Sequence, residues 1–206
     1  MTTREHRRIG WRGITLAITL VAVSPWPVLG QAAVQSWLDR PLTGSAERGT
    51  WIPAPPAGTG ESRAGLIERC DLALAAMTDA EHALAAAGWM PFRYFDRQLR
   101  EDDVEIVGGL TGSDGMCRPT GFNVFVFVGG RFAGTLSPVN MDSRTDGVSG
   151  AIRILSADAV AAEYARYEQT DALCCPSSRV TVTFRIDRSG SAPAIIPIEI
   201  RAARGY

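Results

Sequence analysis

The sequence predicts an α+β domain in which one short helix packs on a curved, mostly antiparallel sheet of six to eight strands. A capped, alanine-rich segment before residue 89 predicts the helix. After residue 89 the prevailing pattern is an alternation of apolar and polar residues, which predicts strands. The 206 residues are 46% hydrophobic and 21% charged, a composition typical of one globular domain with or without a tail.

The helix is expected to begin at a capping box over residues 78–81. In this motif the Thr78 hydroxyl accepts a hydrogen bond from the Glu81 amide, and the Glu81 carboxylate accepts one from the Thr78 amide. Gly88 suits the position that follows the last turn of a helix, so we expect the helix to end there. Apolar residues within 67–74 suggest one earlier helical turn.

Segments rich in β-branched and aromatic residues are predicted to be strands, namely residues 89–95, 104–107, 122–128, 131–136, 151–155, 180–186 and 195–200. Gly129 and Gly130 suit a two-residue hairpin turn. The 122–128 segment is apolar on both faces, which is typical of a central core strand, with a ligand-binding barrel as the alternative. Residues 158–168 fit a helix by propensity and a strand by alternation.

Residues 1–32 are predicted to be a signal peptide. Four arginines precede an uncharged segment of ten residues, Ile14 to Val23. This segment is shorter than the roughly 20 helical residues that cross a bilayer core. Cleavage is expected before Ala33 or after Gly30, with a short uncleaved anchor as the alternative. We therefore expect an exported protein that is periplasmic or extracellular after cleavage.

Residues 33–62 are rich in proline, glycine, serine and threonine and are predicted to form an arm or linker. Trp37, Trp51 and Ile52 are the side chains that could dock this arm onto the domain. The α+β domain is then expected to occupy residues 63–206.

The residue types that the sequence lacks exclude several chemistries. All 21 basic residues are arginine, so Schiff-base and P-loop lysine chemistry are excluded. With His6 and His82 as its two histidines, the chain has no polyhistidine metal site, and we expect no metal or other cofactor. Removing residues 1–32 changes the formal net charge from −1 to −4, which argues against nucleic acid as a partner.

Four cysteines, Cys70, Cys117, Cys174 and Cys175, predict two disulfides in an exported protein. Adjacent residues hold their Cα atoms ~3.8 Å apart, below the usual ~4.4–6.8 Å for a disulfide. We therefore expect the Cys174-Cys175 doublet to split, with one cysteine bonded to Cys117 and the other to Cys70. A redox-active pair is the alternative.

Residues 142–147 have the outline of a calcium-binding loop, with aspartates at its first and fifth positions and a glycine at its sixth. Calcium is rejected because Arg144 occupies the third position and Arg153 the twelfth, where a glutamate is needed. Two interpretations remain. One is a turn held by side-chain hydrogen bonds, and the other is a recognition loop in which Arg144 binds a carboxylate or phosphate.

The candidate binding residues are therefore Arg118, Ser143, Arg144, Thr145 and Asp146. Arg118 lies beside a cysteine expected to be bridged and before Pro119, in a segment with little freedom. We expect it to form an internal ion pair with Asp146 or Asp171.

Two blocks resemble the LppP/LprE lipoprotein family of bacterial cell-envelope proteins: DGMCRPTGFNVFVFVGGRFAGTLSPVNMDSRTDG at 114–147 and ARYEQTDALCCPSSRVTVTFRI at 165–186. The likeness covers roughly residues 64–200. It implies an exported, sheet-rich domain without an assigned activity, and a strand at 158–168 paired with 179–187. Lipoproteins of this family carry a cysteine after a Leu-x-Gly run. Here Gln31 follows Gly30, so we expect no lipid anchor and a soluble mature chain.

Two hypotheses for function follow. The first is a non-enzymatic binding or interaction module, stabilised by two disulfides, whose partner is an envelope component, a protein or a small amphiphile. The alternative is a periplasmic enzyme that uses thiol–disulfide or carboxylate chemistry.

Overall fold

The computed structural model describes residues 36–42, 51–57, 62–74, 76–93 and 99–203. The expected signal peptide lies outside these residues, as do its cleavage sites and Gln31. All of the described residues belong to one compact unit of the chain, Gln35–Tyr206. In this described part, none of the helices combines the length and the apolar character needed to cross a membrane.

The helical segments are a 3₁₀ helix at Trp37–Asp39, α1 at Arg63–Cys70 and α2 at Asp79–Ala86. α2 begins as the sequence predicts. Thr78 Oγ1 accepts from the Glu81 amide at 3.2 Å, and Glu81 Oε2 accepts from the Thr78 amide at 2.8 Å. Gly88 follows the helix with a φ of +97°, a conformation that glycine adopts without strain.

The strands are β1 Met90–Phe92, β2 Leu99–Glu101, β3 Val104–Leu110, β4 Gly112–Ser113, β5 Pro119–Thr120, β6 Asn123–Val128, β7 Arg131–Thr135, β8 Ser149–Ser156, β9 Ala159–Arg166, β10 Ser178–Asp187 and β11 Ala194–Ala202. All pairs are antiparallel. In the first sheet, β1 and β2 both pair with β3, which is followed by β6 and β7. The second sheet has the order β11-β10-β9-β8, and β4 and β5 form a small third sheet.

The predicted fold class is wrong. In the described residues the protein is mostly β, with two α-helices and several separate sheets instead of one short helix on one sheet of six to eight strands. The sheets separate because residues 136–148 lead from β7 to β8 with a single isolated bridge, between Phe122 and Met141, instead of a strand. β7 then lies against β11 through side-chain packing. At Gly134 an added Cβ atom would come within 2.6 Å of Ile195 Cγ2.

Two apolar cores lie on opposite faces of the first sheet. The main core lies between the two large sheets and includes Val126 of β6 and Phe184 of β10. On the other face of β6, Phe125 meets Trp89 edge to face, with ring centroids 5.0 Å apart, and α2 contributes the fully buried Leu84. β6 is therefore buried on both faces, as expected for a central core strand.

The segment that the sequence left ambiguous is a strand. β9 pairs with β10 along its whole length, as the family resemblance implies, and this expectation is confirmed. Val160, Ala162 and Tyr164 of β9 are buried in the main core. Alternation therefore decides the structure of this segment, because helical propensity is a weaker term than burial between two sheets.

The predicted cysteine pairing is wrong. Cys70 pairs with Cys117, with Cα atoms 5.4 Å apart, and Cys174 pairs with Cys175, with Cα atoms 3.8 Å apart. The first pair forms because the end of α1 lies against the turn between β4 and β5, where Arg69 donates to a backbone carbonyl at 3.0 Å. The doublet lies in the exposed loop between β9 and β10, and each of its cysteines bonds its own neighbour.

Two described parts of the arm, residues 36–42 and 51–57, contact the strands and α2. Leu38 is buried, and Trp37 meets Tyr164 edge to face with ring centroids 5.0 Å apart. The Trp89 indole donates to the carbonyl oxygen of Pro53 at 2.7 Å. These contacts fix the arm locally. The expected domain boundaries, after residues 32 and 62, remain predictions.

Candidate functional site

The loop before β8, which the sequence offers as a recognition loop, is held by its own polar side chains. Asp142 Oδ1 accepts from the Gly121 amide at 2.7 Å. Ser143 donates to the carbonyl oxygen of Pro119 from both its hydroxyl, at 2.8 Å, and its amide, at 3.1 Å. Thr145 Oγ1 donates to the Asp142 carbonyl oxygen at 2.7 Å. Ser143 and Thr145 therefore serve the turn itself.

Asp146 is part of a clamp between this loop, β9 and the arm. Its Oδ1 accepts from Arg166 Nε at 3.0 Å and from the Tyr167 amide at 2.8 Å. The same guanidinium donates through Nη2 to Asp39 at 2.8 Å. Partial burial of Arg166 opposes its charge, but its hydrogen bonds to Asp39 and Asp146 outweigh that effect and raise its pKa.

The expected partner of Arg118 is wrong. Arg118 pairs with neither Asp146 nor Asp171 but with Asp114, four residues earlier in the turn between β4 and β5, where Nε donates to Oδ2 at 2.7 Å. Burial disfavours the charged Asp114 carboxylate, but hydrogen bonds from the amides and guanidinium of the turn prevail and lower its pKa. Asp171 instead accepts from the Ser177 amide at 2.7 Å in the β9–β10 loop. Both carboxylates therefore bond partners within their own turns, four and six residues away in the sequence.

Arg144 is the candidate residue whose side chain the loop does not use. It is half-exposed and adopts a φ of +66°, in the left-handed region. In the described part of the chain, its guanidinium forms no hydrogen bond or ion pair. The five candidate residues therefore do not form one site, since Arg118 and Asp146 belong to separate internal clamps.

Two buried carboxylates meet at Thr78, namely Glu81 of the predicted capping box and Glu105 of β3, to which the sequence assigns no role. The Thr78 hydroxyl donates to Glu105 Oε1 at 2.6 Å, and the Thr78 amide donates to Glu81 Oε2. Arg93 Nε donates to the other oxygen of Glu81 at 3.2 Å. Because hydrogen bonds within the protein occupy these carboxylates under α2, their arrangement serves to hold α2 on the first sheet.

The outer face of the second sheet forms an open groove of about 740 Å³, which we call the outer groove. Two ion pairs line it, Arg153 with Glu163 at 3.2 Å and Arg201 with Glu199 at 2.6 Å. The charges on this face are thus largely paired with one another, and the side chains of both arginines are more than half exposed.

A smaller pocket opens where β7 and β11 meet. This seam pocket, of about 340 Å³, lies between residues 37–42 of the arm, residues 135–139 after β7, and Phe184, Ile195 and Pro197 of the second sheet. Its walls include Leu136, Phe184 and Ile195, which are 0%, 3% and 1% exposed. It is therefore a concave, mainly apolar site that reaches the main core.

The walls of the seam pocket are fixed on both sides. The Tyr164 hydroxyl donates to the carbonyl oxygen of Leu136, and Trp37 packs on the same tyrosine ring. Val139, 45% exposed, and the exposed Arg40 stand at the edge of the pocket. In the described part of the chain, the Arg40 guanidinium has no acidic partner.

The sequence does not predict this pocket. Trp37 is one of the side chains expected to dock the arm, and Leu136 lies in the 114–147 block that carries the family resemblance. The signal that could have indicated the pocket is the run of apolar and proline residues at 136–139, which follows a strand without continuing its alternation. The pocket depends on which strands become neighbours, and that is not a local property.

The fold and the site define a disulfide-containing protein of two packed antiparallel sheets with an apolar pocket at one seam. Residues 100–189 match the family model described as LppP/LprE lipoprotein, which confirms the resemblance found in the sequence. The match indicates a cell-envelope protein of unassigned function. Neither the curated proteins nor the solved structures gave a match. Among the described residues, no group of three or more His, Cys, Asp or Glu side chains is placed to hold a metal ion.

Proposed function

We propose that this protein is a non-enzymatic binding module of the cell envelope whose seam pocket takes the acyl chain of a small anionic amphiphile. The observation that carries the proposal is that the pocket opens directly onto Leu136, Phe184 and Ile195 of the core. When an acyl chain packs against these side chains, the apolar surfaces of both the chain and the pocket are removed from water, which favours binding.

The size of the seam pocket favours one short chain. Small-molecule sites usually enclose about 300–1,000 Å³, and the seam pocket, at about 340 Å³, is at the lower end of that range. A medium-chain fatty acid suits this volume better than a two-chain phospholipid.

Arg40 supplies the preference for an anionic head group. It is exposed at the edge of the pocket, and a guanidinium donates two parallel hydrogen bonds to a carboxylate. An amphiphile whose chain enters the pocket would leave its carboxylate at this edge, where Arg40 can pair with it.

The arrangement of the buried carboxylates and of the one histidine on α2 supports binding over catalysis. The buried carboxylates of Glu81 and Glu105 accept hydrogen bonds from Arg93 and Thr78, and His82 is exposed on α2. The carboxylate-based enzyme is therefore the less favoured alternative. We further infer, from the signal-like residues 1–32, that the protein meets its ligand in the periplasm or outside the cell. Because Gln31 stands where the family's lipoproteins carry a cysteine, we also infer that it does so without a lipid anchor.

Calorimetric titration of the mature protein with decanoate tests the proposal. Val139→Trp adds a large side chain at the pocket edge and should weaken decanoate binding by about tenfold or more. The matched control is Leu155→Trp, at a residue 53% exposed outside the seam pocket, which should bind decanoate as the wild type does.

The charge is tested separately. Arg40→Glu should also weaken binding of decanoate, whereas Arg100→Glu, the same charge change on β2, should not. Decanol, which has no charge, should bind more weakly than decanoate to the wild type. The proposal is overturned if decanoate does not bind, if both tryptophan variants behave alike, or if decanol binds as tightly as decanoate.

A further inference from the structure

The two disulfides of this protein differ in what they constrain. Cys70–Cys117 joins residues 47 positions apart and fixes α1 to the turn between β4 and β5. Such a bond stabilises a fold because it restricts the unfolded chain. Cys174–Cys175 joins neighbours in the sequence, so it closes no loop of chain and contributes nothing comparable.

The two disulfides also differ in how they are covered. Cys70 and Cys117 are half-buried, and a guanidinium nitrogen of Arg69 approaches Cys117 Sγ at 3.5 Å. Cys174 and Cys175 are both exposed, and the neighbouring Leu173 is 64% exposed. A thiolate must reach a disulfide sulfur to attack it, so access favours reaction at the doublet.

The loop that carries the doublet is held without it. Asp171 accepts from the Glu168 amide at 2.8 Å, from the Ser177 amide at 2.7 Å and from the Ser177 hydroxyl. The Tyr167 hydroxyl also donates to the carbonyl oxygen of Leu173 at 3.1 Å. These bonds close the β9–β10 loop on both sides of the cysteines, so we expect the loop and both strands to keep their structure when the doublet is reduced.

We propose that Cys174–Cys175 is a redox-sensitive disulfide that a dithiol donor of the envelope reduces reversibly, with this protein as the target of the exchange and not its catalyst, and that Cys70–Cys117 is purely structural. A donor thiolate attacks the sulfur of one cysteine, breaks the Cys174–Cys175 bond and forms a mixed disulfide. The released cysteine sulfur takes a proton. The second donor thiol then attacks the mixed disulfide and frees the other cysteine. Two electrons and two protons pass to the protein, and the donor leaves as a disulfide.

Graded reduction of the native mature protein tests this site. The protein is equilibrated with increasing dithiothreitol, its thiols are alkylated, and the labelled peptides are identified by mass spectrometry. Cys174 and Cys175 should be labelled at about tenfold less dithiothreitol, or lower, than Cys70 and Cys117. The protein reduced only at the doublet should keep the melting temperature of the oxidised protein.

The double variant Cys174→Ser/Cys175→Ser is the control. It should fold, melt as the wild type does, and lose the labelling seen at low dithiothreitol. The proposal is overturned if Cys70 and Cys117 are labelled at the same concentration as the doublet or at a lower one, or if reduction of the doublet lowers the melting temperature. Because decanoate binding is measured separately on the oxidised protein, either proposal can fail without the other.

Discussion

Arg188 donates hydrogen bonds to both carboxylate oxygens of Asp103, from Nη1 to Oδ2 at 2.7 Å and from Nη2 to Oδ1 at 2.9 Å. The same guanidinium donates through Nε to Asp158 at 2.9 Å. Three turns, those after β2, β8 and β10, therefore meet at one arginine. The pKa of Arg188 is raised, and its hydrogen bonds to Asp103 are the largest cause. This clamp holds the two sheets together near β2 and β8, whereas the β7–β11 seam contains the pocket.

Arg188→Ala should lower the free energy of unfolding by about 1–2 kcal/mol, because it removes a bidentate pair and a second carboxylate partner. Urea unfolding measures this change. Arg201→Ala is the control. The Arg201 side chain is 74% exposed and makes one ion pair, with Glu199, so its removal should lower the free energy of unfolding by at most about 0.5 kcal/mol. If both variants lose the same free energy of unfolding, the ion pairs of Arg188 stabilise the protein no more than one exposed surface pair does.

The clamp should weaken in acid. The hydrogen bond from Arg188 lowers the pKa of Asp103 in the folded protein. A carboxyl group whose pKa is lower in the folded protein stabilises the fold at pH values above its unfolded pKa of about 3.9. This stabilisation is lost as the pH falls through the pKa that the group has in the folded protein. The difference in unfolding free energy between wild type and Arg188→Ala should therefore be constant near neutrality and shrink below about pH 4. A difference that stays constant into acid would contradict this assignment.

Arg118→Ala should destabilise the protein by about 1 kcal/mol, because Asp114 keeps its amide donors but loses the guanidinium. Arg144→Ala should change the free energy of unfolding by less than about 0.5 kcal/mol, as surface substitutions usually do. Thermal melts of both variants measure the difference. If Arg144→Ala melts far below Arg118→Ala, the Arg144 side chain holds the loop and is not available to an external anion.

Gly134→Ala should destabilise the contact between β7 and β11 by about 1–3 kcal/mol. Gly134 has a φ of +139°, and the added methyl group would meet Ile195 Cγ2. Gly115→Ala is the matched control, because an added Cβ atom there meets nothing within 4 Å. Urea unfolding of both variants provides the comparison, and equal midpoints would show that β7 and β11 are not closely packed at this point.

The sequence by itself determined the features that depend on near neighbours. The capping box at Thr78 and Glu81 forms as predicted because both partners lie within one helical turn. The nearly continuous apolar run along 122–128 gives a strand buried on both faces, because successive side chains in a strand point to opposite faces. The two blocks at 114–147 and 165–186 carry a resemblance to the LppP/LprE lipoprotein family, and the model of that family matches residues 100–189.

Tertiary structure alone decided how these parts meet. Strand partners are chosen by packing between distant segments, so the alternation could not show that the strands divide between separate sheets. Cys70 bonds Cys117 because α1 comes to rest beside the β4–β5 turn, and the doublet then has no partner but itself. The seam pocket exists because β7 and β11 approach without pairing, and the polar loop chosen from sequence is held by bonds whose partners lie in other segments of the chain.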